Sequence, residues 1–339
     1  MSRRPYCIMP TWRDNAMNHD APDRPVAELR GVSCHFKVRI PGGRRGTVHA
    51  LDDIDLVLTE GRTLGLVGES GSGKSTLARV LLRLLRPDRG QVLLASQDIT
   101  ETKGSALRQL RRHMQLVFQD PYSSFDPLAT IESSIGEAIS VHRELSRSGR
   151  AQRATELLDQ VRLPSAFAHR RPREMSGGQL QRAAIARALA TEPELLALDE
   201  PLSSLDIATQ VQIVDLLHEL QERLGIAYLF ISHDLNLVRT LSHRTAVMYL
   251  GRIVEEGPVE QIYRDPGHPY TQALLSASPS LDPASRRRRI VLQGDIPSPV
   301  EPPTGCRFRT RCPLVTAICA EQEPPPVPVG GATVRCHHL

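Results

Sequence analysis

Gly68, Gly71 and Gly73 are interleaved with Ser70 and Ser72 and followed at once by Lys74, Ser75 and Thr76. Glycines at this spacing let backbone N–H groups close around an anion, a lysine neutralises its charge, and a hydroxyl offers a hard ligand to a divalent ion. The run Thr63–Val67 ahead of the loop is short and apolar, and residues 77–85 behind it have helical spacing that stops before Pro87. A strand, a glycine loop and a helix N-terminus in that order are what Gly-x4-Gly-Lys-Ser needs to hold phosphates. Lys74 is read as the counter-charge to β- and γ-phosphates and Ser75 as a Mg²⁺ ligand.

Three further groups suit the same chemistry. Asp199 ends the apolar run 195–198, and Glu200 follows it before Pro201. A carboxylate at the end of a buried strand can hold Mg²⁺ or its waters, and a neighbouring one can act as general base on water. His233 ends another apolar run, 228–231, in Ile-Ser-His-Asp. If the two strands are neighbours of the first, His233 is within reach of a γ-phosphate. Gln119, in Val-Phe-Gln-Asp, is ambiguous alone. Ser176, Gly177, Gly178 and Gln179 precede the Ala- and Arg-rich stretch 180–190, so they make a second anion site at a helix N-terminus. If the two anion sites lie on opposite edges, one chain cannot apply both to the same nucleotide, which invites a dimer.

The elements that must position these residues are legible as alternation. From about residue 27 to 262 short apolar runs alternate with helical patterns, among them Val211, Val214, Leu217, Leu220 and Leu224, ended by Gly225. That alternation predicts an α/β fold with a mostly parallel sheet and its chemistry at the strands' carboxyl ends. Residues 1–26 are polar and broken by Pro5, Pro10, Pro22 and Pro25, and read as a disordered lead-in. From 263 to 339 prolines crowd in and periodicity fades, which reads as a separate, loop-rich appendix.

The ordered set formed by Gly68–Ser75, Gln119, Ser176–Gln179, Asp199, Glu200, Asp206 and His233 resembles the nucleotide-binding domain of ABC transporters. The resemblance covers about 230 residues, and it implies a phosphate-loop NTPase with a RecA-like core, an antiparallel β subdomain and a helical subdomain, here about 121–175. It also implies a head-to-tail dimer closing on two ATP molecules. Each ATP is then held by the loop and Asp199 of one subunit and by Ser176, Gly177 and Gly178 of the other. Gln119 resembles the residue that joins the Mg²⁺ site to the helical subdomain, where the family receives a membrane partner, and Asp206 the loop linking the two sites. Met175 stands where the family often has Leu, an apolar swap of similar volume. The adenine-stacking aromatic is not obvious; residues 41–48 read as an insertion, and Phe36 and His49 are the candidates.

The tail narrows the resemblance. Gly267-His-Pro-Tyr-Thr-Gln-Ala-Leu-Leu275 and Gly305-Cys-Arg-Phe-Arg-Thr-Arg-Cys-Pro313 resemble the C-terminal region of oligopeptide and dipeptide import ATPases. That implies peptide import, with nickel or another small solute as the alternative cargo. The implied partners are two transmembrane permeases, a second homologous ATPase and an extracytoplasmic binding protein. Cys306, Cys312, Cys319 and Cys336 in Pro-rich loops suit a metal centre, since ligation can replace a missing core. Paired C-x2-C knuckles are absent, and zinc, an iron–sulfur cluster and free buried thiols are the three readings of the residues; the resemblance favours 4Fe-4S. Cys7 and Cys34 have no partner pattern, His337 and His338 read as a solvated terminus, and the arginine run 286–289 as a solvated linker.

Charge and hydropathy exclude other classes. The formal net charge is +4, with 42 basic and 38 acidic residues, which gives little drive toward nucleic acid. A soluble ABC protein of DNA repair or translation is the rival reading, but its usual second domain or long coiled coil is not visible. No apolar run approaches the ~20 residues of a membrane span, so the chain is expected at the cytoplasmic face of the inner membrane, attached through its partners.

Overall fold

Strands buried on both faces form the centre of the molecule. The computed structural model describes residues 24–39, 43, 45–141, 144–277 and 289–339. The lead-in up to residue 23 with Cys7, part of the 41–48 stretch and arginines 286–288 lie outside the described residues. In chain order the elements are β1 (Pro25–Arg39), β2 (Arg45–Thr59), β3 (Thr63–Val67), α1 (Lys74–Leu81), β4 (Arg89–Leu94), β5 (Gln97–Asp98) and α2 (Gly104–Leu110). Then come β6 (Met114–Val117), α3 (Ile131–Ser140), α4 (Arg147–Gln160), α5 (Gly177–Leu189), β7 (Leu195–Asp199), α6 (Ile207–Leu224), β8 (Ala227–Ile231) and α7 (Leu235–Leu241). The chain finishes with β9 (Arg244–Tyr249), β10 (Arg252–Pro258), α8 (Val259–Arg264), α9 (Pro269–Ala277), α10 (Ile318–Glu321), β11 (Val327–Val329) and β12 (Ala332–Val334).

The large sheet runs β11-β12-β10-β9-β3-β8-β7-β6, and its central pairs β9–β3, β3–β8, β8–β7 and β7–β6 are parallel. In β8, Ala227, Leu229 and Ile231 face α1 and the small sheet, while Tyr228 and Phe230 pack with the helices on the other side. Strands covered on both faces read as unbroken apolar runs rather than alternating ones, which is why 195–198 and 228–231 stand out in the sequence. The small antiparallel sheet, β2-β1-β4-β5, covers one face; α3, α4, α5 and α6 pack against the other.

Two helix boundaries differ from the periodicity. The helix after the glycine loop is α1, Lys74–Leu81, rather than 77–85. Its polar first turn carries no apolar signal, and Arg83 at φ 53° ends the pattern early. Buried Arg83 donates instead to the carbonyls of Ile99 and Thr100. Likewise α5 begins at Gly177 because Ser176 caps it. α6 ends as expected at Gly225, whose φ of 67° is the left-handed C-cap that glycine adopts without strain.

The tail does not sit apart. β12 extends the main sheet by pairing with β10, Glu255 opposite Val334, and Phe308 is fully buried, edge-on to Tyr249 and tilted against Tyr270. The expected separate appendix thus shares the main core, because a loop-rich segment of this length buries too little surface to form its own. His337 and His338 are not a solvated terminus either. His338 Nε2 lies 3.0 Å from Thr316 Oγ1 and 3.5 Å from Cys319 Sγ, and His337 Nε2 lies 3.0 Å from the Gln322 carbonyl oxygen.

Candidate active site

The glycine loop leaves β3 and turns into α1 along a path open only to glycine. Gly71 and Gly73 have φ of 79° and 108°, and a Cβ on Gly68 or Gly73 would run into the carbonyl of Met248 or of Ala50. Ser70 and Gly71 are exposed at the tip, and Thr76 is half-buried in the first turn of α1. Lys74, 6% exposed, curls back and donates to the carbonyls of Gly68 (2.8 Å) and Glu69 (3.0 Å). The Ser72 hydroxyl is buried without a hydrogen-bond partner, an orphaned donor in the wall of an anion-sized cradle. That orphan, the free N–H groups at the start of α1 and the lysine fit a phosphate chain.

The strand order places the remaining groups beside the loop. β8 lies between β3 and β7, so the carboxyl ends carrying Asp199, Glu200 and His233 abut the loop. Ser75 Oγ donates to Asp199 Oδ1 at 3.1 Å, joining the hydroxyl and carboxylate that suit a Mg²⁺ ion. Burial pushes the Asp199 carboxyl up from its ordinary value, with the Ser75 hydrogen bond opposing. Burial likewise pushes the Lys74 ammonium down against the pull of Glu200 and Asp199. Both shifts come from gathering charges in a poorly hydrated pocket, where a bound polyanion and cation regain the lost solvation.

Glu200 is the focus. It turns out of β7 at φ 47°, a left-handed conformation costly for a non-glycine residue, and its N–H donates to the Ile231 carbonyl. Gln119 Nε2 donates to Glu200 Oε2 at 3.2 Å, and His233 Nδ1 lies 3.2 Å from the same oxygen. Three residues far apart in the chain thus share one carboxylate oxygen.

Ser176–Gln179 is not part of this convergence. Ser176 Oγ accepts from the Gln179 N–H, and Gln179 Oε1 accepts from the Ser176 N–H, a reciprocal capping box. Gly177 and Gly178 pack on Leu205 and Thr209 at the start of α6, where Asp206 caps the helix by accepting from Thr209 N and Oγ1. Those hydrogen bonds hold the Asp206 carboxyl below its usual range. Met175 is buried in the helical core, as an apolar stand-in for leucine should be.

Two separate segments of the chain match known families. Residues 51–203 match the ABC transporter family, and residues 254–319 match the oligopeptide/dipeptide transporter C-terminal region. The probable peptide ABC transporter ATP-binding protein y4tS of Sinorhizobium fredii is 49% identical over 89% of this chain and 84% of its own. The chain belongs to the ABC transporter ATP-binding proteins. The oligopeptide transport ATP-binding protein AppF of Bacillus subtilis is 47% identical over 88% of this chain and 92% of its own. Among solved structures, the dimeric post-hydrolysis ATP-binding cassette MJ0796 with ADP and Pi aligns with 31% identity and a TM-score of 0.62, over 69% of this chain and 98% of that one. This ABC ATPase therefore binds ATP and Mg²⁺ and hydrolyses the nucleotide.

Two clusters lie outside the ATPase constellation. Cys306, Cys312, Cys319 and Cys336 converge closely enough that each pair interacts electrostatically, and burial pushes the Cys306 thiol up to about 11. The second cluster went unseen in the sequence. His35, His49 and Asp52 are the one group among the described residues whose ligand atoms all lie within 4.8 Å. His35 Nε2 is 2.5 Å from Asp52 Oδ1 and His49 Nδ1 is 3.2 Å from Oδ2, while Arg307 from the tail donates to the same carboxylate. Burial raises the Asp52 carboxyl, but the hydrogen bonds from Arg307 and His35 outweigh it and hold it below the usual range. The carboxylate is compensated without an ion. His49, whose ring centre lies 4.4 Å from that of His35 at a tilt of 49°, is thus engaged, whereas Phe36 is exposed.

Proposed function

We propose that this ABC ATPase powers the import of peptides through partner permeases, with Glu200 as the general base for hydrolysis. The observation that carries the catalytic assignment is the meeting of Gln119 and His233 on Glu200 Oε2, next to the Ser75–Asp199 pair. Ser75, Asp199 and Gln119 would hold Mg²⁺, which when bound would supply positive charge to offset that of the phosphates. Lys74 would give up its two loop carbonyls for phosphate oxygens. Glu200 accepts a proton from the attacking water, and His233 holds the γ-phosphate and orients the carboxylate. Ser176 and Gln179 hydrogen-bond each other rather than this cluster, and Ser176, Gly177, Gly178 and Gln179 are assigned to the nucleotide of a second subunit, with Asp206 joining the two sites. Phe36 is assigned to the adenine, since His49 is already tied to Asp52.

Peptide cargo rests on the C-terminal match and on relatives named for peptide transport. The partners proposed are two permeases, a second ATPase and an extracytoplasmic binding protein. No described helix is long and apolar enough to cross a membrane, which fits peripheral attachment at the inner membrane. A cleft of about 270 Å³ lined by Leu84, Leu116, Phe118, Ala138 and Arg187 opens one residue from Gln119 and suits an apolar segment of a permease.

The thiol quartet is assigned to a 4Fe-4S cluster. Cys306, Cys312 and Cys336 each accept the N–H of the residue two further on (Phe308, Leu314 and His338), a donor pattern suited to metal-bound sulfur. No three of these sulfurs crowd within 4.8 Å of one another, whereas one tetrahedral zinc with bonds of about 2.3 Å would draw them closer than that. When bound, the cluster would cross-link the loops of the tail.

The test is affinity purification of the full-length protein from its native membranes in mild detergent, followed by peptide uptake into vesicles reconstituted with what co-purifies. Two permeases, a second ATPase and ATP-dependent uptake of labelled peptide are expected. Exclusively ribosomal or DNA-bound partners would remove the transport reading, and uptake of nickel without peptide would replace the cargo.

A further inference from the structure

The tail reaches back across the molecule to the phosphate loop. Glu69, the second residue of that loop, is held on three sides. Arg311 grips its carboxylate with two nearly parallel bonds of 2.7 and 3.1 Å; the Glu69 N–H donates to the Tyr270 hydroxyl at 2.9 Å; and its carbonyl accepts from Lys74. Two of these three groups come from beyond residue 263, and Arg311 lies 242 positions from Glu69. Neither is a loose surface contact. The Arg311 side chain is 8% exposed, its guanidinium lies 6.0 Å from the centre of the Tyr249 ring, and Tyr270 is fully buried with its ring 4.7 Å from that of Tyr249.

The consequence for the loop is both geometric and electrostatic. The carbonyls of Gly68 and Glu69 are the partners of the Lys74 ammonium, so the orientation of the Glu69 peptide sets where that ammonium waits. The other half of the loop is tied independently, by Gly251 N–H donating to the Ser72 carbonyl at 2.8 Å and by α1. Within the loop the Glu69 carbonyl also accepts from the Ser72 N–H at 3.2 Å, but among the described residues the hydrogen bonds that tie residues 68–70 to the rest of the molecule run to Tyr270 and Arg311. Glu69 also carries a negative charge beside a site built for anions. A bidentate guanidinium cancels it in a fixed direction, whereas an unpaired carboxylate would repel the incoming phosphates.

We propose that Arg311, together with Tyr270, is a positioning residue of the ATP site: the tail neutralises Glu69 and fixes the first half of the phosphate loop, so that ATP affinity depends on the C-terminal region. This rests on the assignment of residues 68–76 to the phosphates. Neither residue touches the reacting atoms. The loss of Arg311 should therefore appear in ATP binding rather than in turnover at saturation.

The test uses the full-length protein and a fluorescent ATP analogue with Mg²⁺, alongside steady-state hydrolysis and far-UV circular dichroism. Arg311→Met is expected to raise the Kd, and the KM for ATP, about tenfold, the factor that one lost charge-assisted contact commonly represents, while kcat changes less than about threefold. Arg311→Lys should recover part of the affinity, since an ammonium restores the charge but not the fork. On a Glu69→Gln background the carboxylate is gone, so Arg311→Met should alter Kd less than about twofold, a non-additivity expected of residues acting as one unit. Should Arg311→Met fail to fold, Tyr270→Phe, which removes one hydroxyl, is expected to raise Kd about threefold by the same arithmetic. Unchanged Kd in Arg311→Met, or in Tyr270→Phe where that variant stands in, overturns the proposal, as does an equal tenfold loss on the Glu69→Gln background. A wild-type protein that does not bind the analogue overturns the phosphate-loop assignment itself, and the two failures are therefore distinguishable.

Discussion

His268 offers a stability test whose size follows from its surroundings. It is 1% exposed, its Nδ1 accepts the Tyr270 N–H at 3.0 Å, and its own N–H donates to Glu255 Oε2 at 3.0 Å. Burial pushes the imidazole down from 6.5 to about 3. The folded chain thus keeps His268 neutral while the unfolded chain protonates it near pH 6.5. A depressed folded pKa means that the stabilisation is complete above pH 6.5 and lost as pH falls toward 3. One proton per molecule corresponds to about 1.4 kcal/mol per pH unit, hence about 2 kcal/mol lost by pH 5 and about 5 kcal/mol as the upper bound at full titration. Glu255 works in the opposite sense: burial raises its carboxyl, so its protonation in acid favours the folded chain and masks part of the loss. Comparing wild type with His268→Gln removes that complication, because Glu255 is present in both and glutamine can still accept the Tyr270 N–H. Urea unfolding followed by far-UV circular dichroism at pH 7.5, 6 and 5 is the assay. Wild type should lose about 2 kcal/mol more than His268→Gln between pH 7.5 and 5. Parallel curves within about 0.5 kcal/mol, the usual scatter of additive effects, would refute the reasoning and mean that His268 takes up its proton in the folded state.

Three other outcomes are expected. Glu200→Gln should leave ATP affinity within about threefold and lower single-turnover hydrolysis by roughly 10²–10⁴, the range for removing a general base; near-normal turnover would take Glu200 out of the mechanism. Phe308→Ala should lower stability by about 3–5 kcal/mol, because the ring is 1% exposed and wedged between Tyr249 and Tyr270; a change under about 1 kcal/mol in urea unfolding would mean that the tail does not share the core. Cys312→Ser, purified anaerobically, should lose most of its iron and acid-labile sulfide and its visible absorbance, while Cys34→Ser keeps them; equal iron in both would remove the cluster assignment.

How much was legible in the sequence differs from element to element. Thr63–Val67, the 195–198 run and the 228–231 run announced themselves because strands buried on both faces need apolar side chains at every position. The helix after the glycine loop was legible only in its apolar middle, since its first turn exists to offer N–H groups and carries Lys74, Ser75 and Thr76. The long hairpin of β1 and β2 gave no comparable signal, because one of its faces is solvated and its register shifts four times along the pairing.

What the sequence by itself determined is the kind of chemistry and the order of its parts. A lysine after spaced glycines, a carboxylate at a strand end and a serine ahead of two glycines are local solutions to binding phosphate, and local solutions leave local patterns. The tertiary structure alone decided which of these groups meet. Gln119 and His233 each come within 3.2 Å of Glu200 because β7 lies between β6 and β8, and no pattern along the chain encodes strand order. Arg311 on Glu69, Arg307 on Asp52 and Phe308 on Tyr249 were equally hidden. Each joins segments separated by 59 to 255 positions, and a guanidinium or a ring is specified by the partner it will find, not by its neighbours in sequence. The reach of the tail into the phosphate loop is therefore a property of the folded molecule.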